Sequence, residues 1–146
     1  PHAAIPRPAD RVAGERFVDS IASVEGDILL PDFPFVQAWP GSRSYGLGMA
    51  ASDVLRGPGS PAQRVLKASL LDSVCARRFS TIVLSDRGAN VPPALYENYK
   101  FVERLFDDPV SFIPVTGWPT RPNLVFLRIG ASADVLGEGG RVNQCG

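Results

Sequence analysis

One short run limits the fold more than any other: Asp27-Ile28-Leu29-Leu30-Pro31, a continuous apolar stretch introduced by Gly26 and closed by proline. A strand wet on one face alternates apolar and polar residues. This one does not, so both of its faces need cover. Upstream, a helix is expected over residues 9–24, where Phe17, Val18, Ile21 and Ala22 share one face at helical spacing. Arg11, Glu15, Arg16 and Asp19 fall on the wet side, and Gly26 suits the stop. Helix, glycine and buried strand in succession place the run centrally in an α/β layer.

Thr81-Ile82-Val83-Leu84 is a second buried run, rich in β-branched residues. Before it, Ser60-Pro61 reads as an N-cap with proline at the first helical position. That helix is expected to reach about Arg78 and to bury Val65, Leu66, Leu70, Val74 and Cys75. The connection between the two runs is long enough for parallel pairing. It also has room for a short strand at 35–39 and for one or two helical turns from Met49 to Leu55, ended by Gly57-Pro58-Gly59. Later, Pro92-Pro93 opens a short helix through Asn98. Lys100–Phe106 and Leu124–Ile129 then form an antiparallel hairpin around the long loop Asp107–Asn123. The expected fold is a three-layer α/β domain, with a small, mostly parallel sheet, helices on both faces and a C-terminal antiparallel hairpin. Residues 1–8, with three prolines, form an extended lead-in, 9–130 the single domain, and 131–146 a flexible glycine-rich tail.

Several chemistries are excluded. Fifteen basic side chains balance fifteen acidic ones, so there is no basic excess for nucleic acid, and Arg77-Arg78 reads as a solvated helix end. The only histidine, His2, sits in the proline-rich lead-in, where packing does not hold it beside a nucleophile. With two cysteines, Cys75 and Cys145, it cannot complete a closed zinc site. A disulfide between those cysteines would pin the tail; the plainer reading is a buried small hydrophobe and a loose terminal thiol. Gly46-Leu47-Gly48-Met49-Ala50-Ala51 matches a dinucleotide fingerprint on its face, but no strand leads directly into it. Its acidic partner would be Asp72, inside a helix, so a flexible turn is the better account. No cofactor is implied. The longest apolar run falls far short of the ~18–20 residues that span a bilayer.

Two features could carry function. Asp27, Asp32, Asp53 and Asp86 lie near ends of expected elements, and Asp32 and Asp86 both follow strands. Ligands gather there in open α/β sheets, although an aspartate after a strand is also an ordinary turn former. The second feature is the aromatic loop after the first strand. Asp32, Phe33, Phe35, Trp39, Arg43 and Tyr45, joined by Trp118 from a later loop, form the candidate substrate-binding surface. Aromatic faces with a few polar groups grip sugars and lipid tails, and they also pack loops onto small cores.

Taken in order, several segments resemble the soluble C-terminal region of bacterial membrane glycosyltransferases of the dolichyl-phosphate-mannose–protein mannosyltransferase-like (GT-C) type. They are Gly26-Asp27-Ile28-Leu29-Leu30-Pro31-Asp32, Met49-Ala50-Ala51-Ser52-Asp53-Val54-Leu55-Arg56-Gly57 and Arg77-Arg78-Phe79-Ser80-Thr81-Ile82-Val83-Leu84. Tyr99-Lys100-Phe101-Val102 and Pro114-Val115-Thr116-Gly117-Trp118-Pro119-Thr120-Arg121-Pro122 complete the set, which spans roughly residues 9–129. The resemblance implies an extracytoplasmic accessory domain beside a membrane-embedded part of the same parent chain, with glycan or lipid-linked sugar as the partner. It implies no catalytic residue in this piece, because the family's acidic catalytic residues would precede it. The start on Pro1 rather than Met fits an excised piece. A free-standing binding module and a small nucleotide-handling enzyme are the alternatives.

Overall fold

The structure, a computed structural model, describes residues 6–33, 48–86, 91–114, 120–130 and 145. Its elements are α1 (Pro8–Ala22), β1 (Ile28–Leu29), α2 (Gly48–Arg56), α3 (Pro61–Cys75), β2 (Thr81–Ser85), α4 (Leu95–Asn98), β3 (Tyr99–Arg104) and β4 (Pro122–Arg128). The chain is thus α/β, with four helices and a mixed four-stranded sheet among the described residues.

Local chemistry sets the helix ends. Pro8 opens α1 with its φ already helical, and the Asp10 carboxylate accepts the Arg7 backbone N–H at 3.0 Å. Ser60 caps α3 as its sequence suggests, its Oγ accepting the Gln63 N–H at 3.1 Å, with Pro61 first in the helix. α3 stops at Cys75, short of Arg78, because Arg77 turns to a left-handed φ of 49°. Arg77 is not a solvated helix end. It is half-buried and donates to Asn98 Oδ1 at 3.2 Å and to the Ile129 carbonyl at 3.0 Å, tying α3 to the sheet. Gly26 takes a φ of 91°, and a Cβ there would lie 3.2 Å from the Ser80 side chain.

The strand order is β1-β2-β4-β3. β1 pairs parallel to β2, as the long connection allows, through Ile28↔Thr81 and Leu29↔Ile82. β3 and β4 form the expected antiparallel hairpin. The expectation of a mostly parallel sheet is corrected, because β4 also pairs antiparallel to β2 from Thr81↔Leu127 to Ser85↔Pro122. The chain does cross back after β2, because Tyr99 pairs with Arg128, level with the start of β2, so β3 runs in the same direction as β2. β3 does not pair with β2, however; its hairpin partner β4 enters antiparallel between the two.

Side chains alternate along β1 and β2 and feed two core clusters. Leu29, Ile82 and Leu84 join Val74, Leu95, Tyr99 and Phe126, while Ile28, Leu30 and Val83 join Phe17, Ile21 and Phe106. Four expected core residues are not in either cluster: Ala22 is exposed, Val65 is 69% exposed, and Leu66 and Leu70 are only half-buried. α3 is rotated so that Gln63 turns inward, and Val65, two positions on, points away. Gln63 can be buried because its Nε2 donates to the Leu55 and Gly57 carbonyls at 2.6 and 2.7 Å.

The segment after β3 folds against α1. Phe112, at a left-handed φ of 57°, stacks on Phe106 at 5.3 Å between ring centres and lies 6.0 Å from Phe17. Its ring passes so close to α1 that a Cβ on Gly14 would sit 2.8 Å from it. Asp10 clamps the same place, accepting the Phe112 N–H at 2.9 Å and pairing with Arg7, which also reaches the Val110 carbonyl. The Arg7 guanidinium holds the Asp10 carboxyl well below the usual carboxylate range.

Cys75 and Cys145 form a disulfide with their Cα atoms 5.5 Å apart, which corrects the reading of two unpaired thiols. Cys75 packs at the edge of the α3 cluster, and Asn98 Nδ2 donates to Cys145 Sγ at 3.4 Å. The sequence offered two cysteines but no means of bringing residue 145 back across 70 positions. The lead-in before residue 6, the strand expected at 35–39 and the tail from residue 131, save Cys145, lie outside the described residues. No helix among the described residues is long and apolar enough to cross a membrane.

Candidate functional site

The parallel pair β1 and β2 places two aspartates beyond neighbouring strand ends. Asp86 follows Ser85, the last residue of β2, and Asp32 follows β1 by way of Leu30 and Pro31. Sequence reasoning paired these two as candidates; the structure gives them opposite surroundings.

Asp86 is fully engaged. Its Oδ2 accepts the Arg121 Nε at 2.8 Å, and its Oδ1 accepts Asn123 Nδ2 at 2.6 Å and Arg104 Nη1 at 3.1 Å. Burial alone would raise its pKa, but these donors and cations hold it below the ordinary 3.8. Arg121 is itself 5% exposed at its side chain. It also donates to the Asp108 and Ser111 carbonyls, both at 2.6 Å, and its guanidinium lies 5.4 Å from the Phe106 ring centre. Asn123 is fully buried, and its Oδ1 accepts the Phe106 N–H at 2.8 Å. Together these groups lock the segment after β3 onto the start of β4. Both carboxylate oxygens of Asp86 are therefore engaged by donors of the chain itself.

Asp32 is the opposite case. The Ser85 hydroxyl and backbone N–H donate to its carboxylate, but Oδ2 is buried with no hydrogen-bond partner among the described residues. Burial, the larger effect, pushes its pKa up, and the two Ser85 bonds only partly oppose that. Phe33 follows, half-buried against the Phe17 cluster, its N–H donating to the Leu30 carbonyl at 3.2 Å. A carboxylate with one oxygen fixed by a serine and the other unengaged can accept a hydroxyl proton donor. It can also retain a proton above the usual pH range.

Of the seven residues expected to form the binding surface, the structure brings Asp32 and Phe33 to this corner. Phe35, Trp39, Arg43, Tyr45 and Trp118 lie outside the described residues. Among the other carboxylates, Asp53 is exposed on α2, and Asp27 faces Arg78 at 4.0 Å while its carbonyl accepts Ser80 N–H at 2.8 Å. Gly48 opens α2, so the second half of the fingerprint-like segment is the first turn of a helix, and Asp72 lies inside α3. Three residues of the corner escaped sequence reasoning: Ser85, Arg121 and Asn123. The one signal was polar residues abutting buried apolar runs, Ser85 after Leu84 and Asn123 before Leu124. No group of three or more His, Cys, Asp or Glu suited to a metal occurs among the described residues.

Fold and site together define a mixed α/β domain with a polar corner at its parallel strand ends, one carboxylate neutralised there and its neighbour left short of partners. Comparison with known proteins finds no matching family model, no matching curated protein and no matching solved structure.

Proposed function

We propose that this chain is an accessory, non-catalytic domain of a membrane glycosyltransferase, supporting or selecting its sugar or polyprenyl-phosphate-sugar substrate. The observation that carries this reading is the unpartnered, buried Oδ2 of Asp32 beside Phe33. A buried acceptor without a donor costs roughly 1–3 kcal/mol, a cost recovered when a ligand hydroxyl supplies the donor. Hydroxyl-rich ligands with apolar ring faces match a carboxylate next to an aromatic. One further point supports the reading: the Cys75–Cys145 disulfide suits an oxidising, extracytoplasmic compartment.

The test is NMR titration of the disulfide-intact chain with short glycans and with water-soluble polyprenyl-phosphate-sugar analogues. Saturable shifts at Asp32, Phe33 and Ser85, lost in Asp32→Ala, are expected. Shifts absent from that corner with every ligand would overturn the proposal.

A further inference from the structure

Away from the Asp32 corner, a groove of about 440 Å³ runs between α2, α3 and the segment that leads into α4. Its walls include Leu55, Leu70, Leu71 and Val91, all half-buried. Two charged side chains also line it, Arg56 and Lys67, both exposed, and among the described residues no acidic one does. Lys67, Leu70 and Leu71 stand one turn apart on the same face of α3, so a cation sits directly beyond the apolar wall. Neither Arg56 nor Lys67 forms an ion pair among the described residues.

Both walls are held by bonds that leave the groove open. Buried Gln63 grips the Leu55 and Gly57 carbonyls, fixing the end of α2 against the start of α3. Opposite, the Pro92 and Pro93 carbonyls accept the Leu95 and Tyr96 N–H groups at 2.9 and 3.1 Å. A pre-formed apolar cleft within the usual ~300–1,000 Å³ of ligand sites, with charge of one sign at its exposed residues, selects for both shape and charge.

We propose that this groove binds the chain of a monomeric, single-chain anionic amphiphile, an alkyl or isoprenyl phosphate or carboxylate, with its head group at Arg56 and Lys67. The apolar walls take the hydrocarbon, and the two cations, unopposed by any acid among the described lining residues, choose the anion. The site is independent of the Asp32 corner, so either can fail without the other.

The experiment is isothermal titration and NMR of the disulfide-intact chain with octyl, decyl and dodecyl phosphate, each kept below micelle formation. Affinity is expected to rise about fifteenfold for each added pair of methylenes, until the chain outgrows the groove. Shifts should centre on Leu55, Leu70, Leu71 and Val91. Arg56→Glu with Lys67→Glu, both at exposed positions, should weaken decyl phosphate by roughly two- to thirtyfold, as loss of two favourable exposed pairs implies. The same double variant should leave a neutral decyl polyoxyethylene ether unchanged. Leu70→Trp, which fills the groove, should abolish binding of both. The proposal is overturned by unsaturable binding, by equal affinity for decyltrimethylammonium, or by indifference to the charge reversal. Binding only to vesicles of phosphatidylcholine and phosphatidylglycerol, with none to the monomeric phosphates, would overturn it equally.

Discussion

Asp32 and Asp86 carry the same side chain beyond the ends of neighbouring parallel strands, and Ser85 touches one and immediately precedes the other. Yet the fold treats them in opposite ways. Asp86 meets two arginines and an asparagine that hold its carboxyl below the ordinary 3.8; Asp32 is pushed above it by burial, which its bonds to one serine only partly oppose. What separates them is where each loop goes. The segment after β3 brings Phe106, Asp108 and Ser111 back over Arg121, and that buried arginine needs an anion, which Asp86 supplies. No corresponding cation reaches Asp32 among the described residues. A carboxylate saturated by its own chain is part of the scaffold. One kept short of a donor is available to a ligand.

The sharpest way to break this comparison is to remove Arg121. Arg121→Ala strips Asp86 of its closest cation and leaves the Asp108 and Ser111 carbonyls without their donor. The expected loss is about 2–4 kcal/mol, from the carbonyls left without a donor and the lost ion pair, because the Asp86 left behind is 32% exposed and partly screened. Urea denaturation would measure it, and a loss below about 1 kcal/mol would show that the network is not holding the segment after β3.

Asp86→Asn is the next step down. The Asp86 side chain is 32% exposed, so water screens part of the pair, and about 1–3 kcal/mol is expected. Its pH dependence has a definite sign. A lowered pKa contributes stability that is fully present above 3.8 and is lost as pH falls through the folded-state value. The variant should therefore lose less than the parent on acidification below 3.8. Asp10 and Asp108, also lowered, titrate in that window in both proteins, so the difference between the two curves isolates Asp86.

Much of the scaffold on which this comparison rests was legible in the sequence. Unbroken apolar runs at 28–30 and 81–84 mark strands covered on both faces, and Ser60-Pro61 marks where α3 begins. The parallel β1/β2 pairing followed from the length of the intervening chain. What periodicity could not supply was strand order, because nothing local says that β4 slots between β2 and β3. The site divides along the same line. Asp32 and Phe33 were reachable from their position after a strand. Arg121 was not, because an arginine between threonine and proline in a long loop looks solvated until the fold buries it. Val65 was misjudged: hydropathy puts valine inside, but α3 turns Gln63 inward instead, because its amide donates to two carbonyls and valine cannot.

The smallest expected effect is the one that sharpens the contrast most. Asp32→Asn keeps an acceptor for the two Ser85 donors and removes the charge from a buried position. At neutral pH its stability should stay within about 1 kcal/mol of the parent, against the larger loss at Asp86. The pH signs should also oppose each other. A raised carboxyl pKa means that the folded state holds its proton more tightly than the unfolded chain does. The stability it contributes is present below 3.8 and is lost as pH rises through the folded-state value. Asp32→Asn, which cannot ionise, should gain on the parent as pH climbs above 3.8, whereas Asp86→Asn gains on it as pH falls below. Denaturation of both variants from about pH 2 to about pH 8, on both sides of the ordinary carboxyl values, reads the two slopes side by side. Slopes of the same sign would mean that Asp32 has a donor after all, and that its corner is scaffold like its neighbour's.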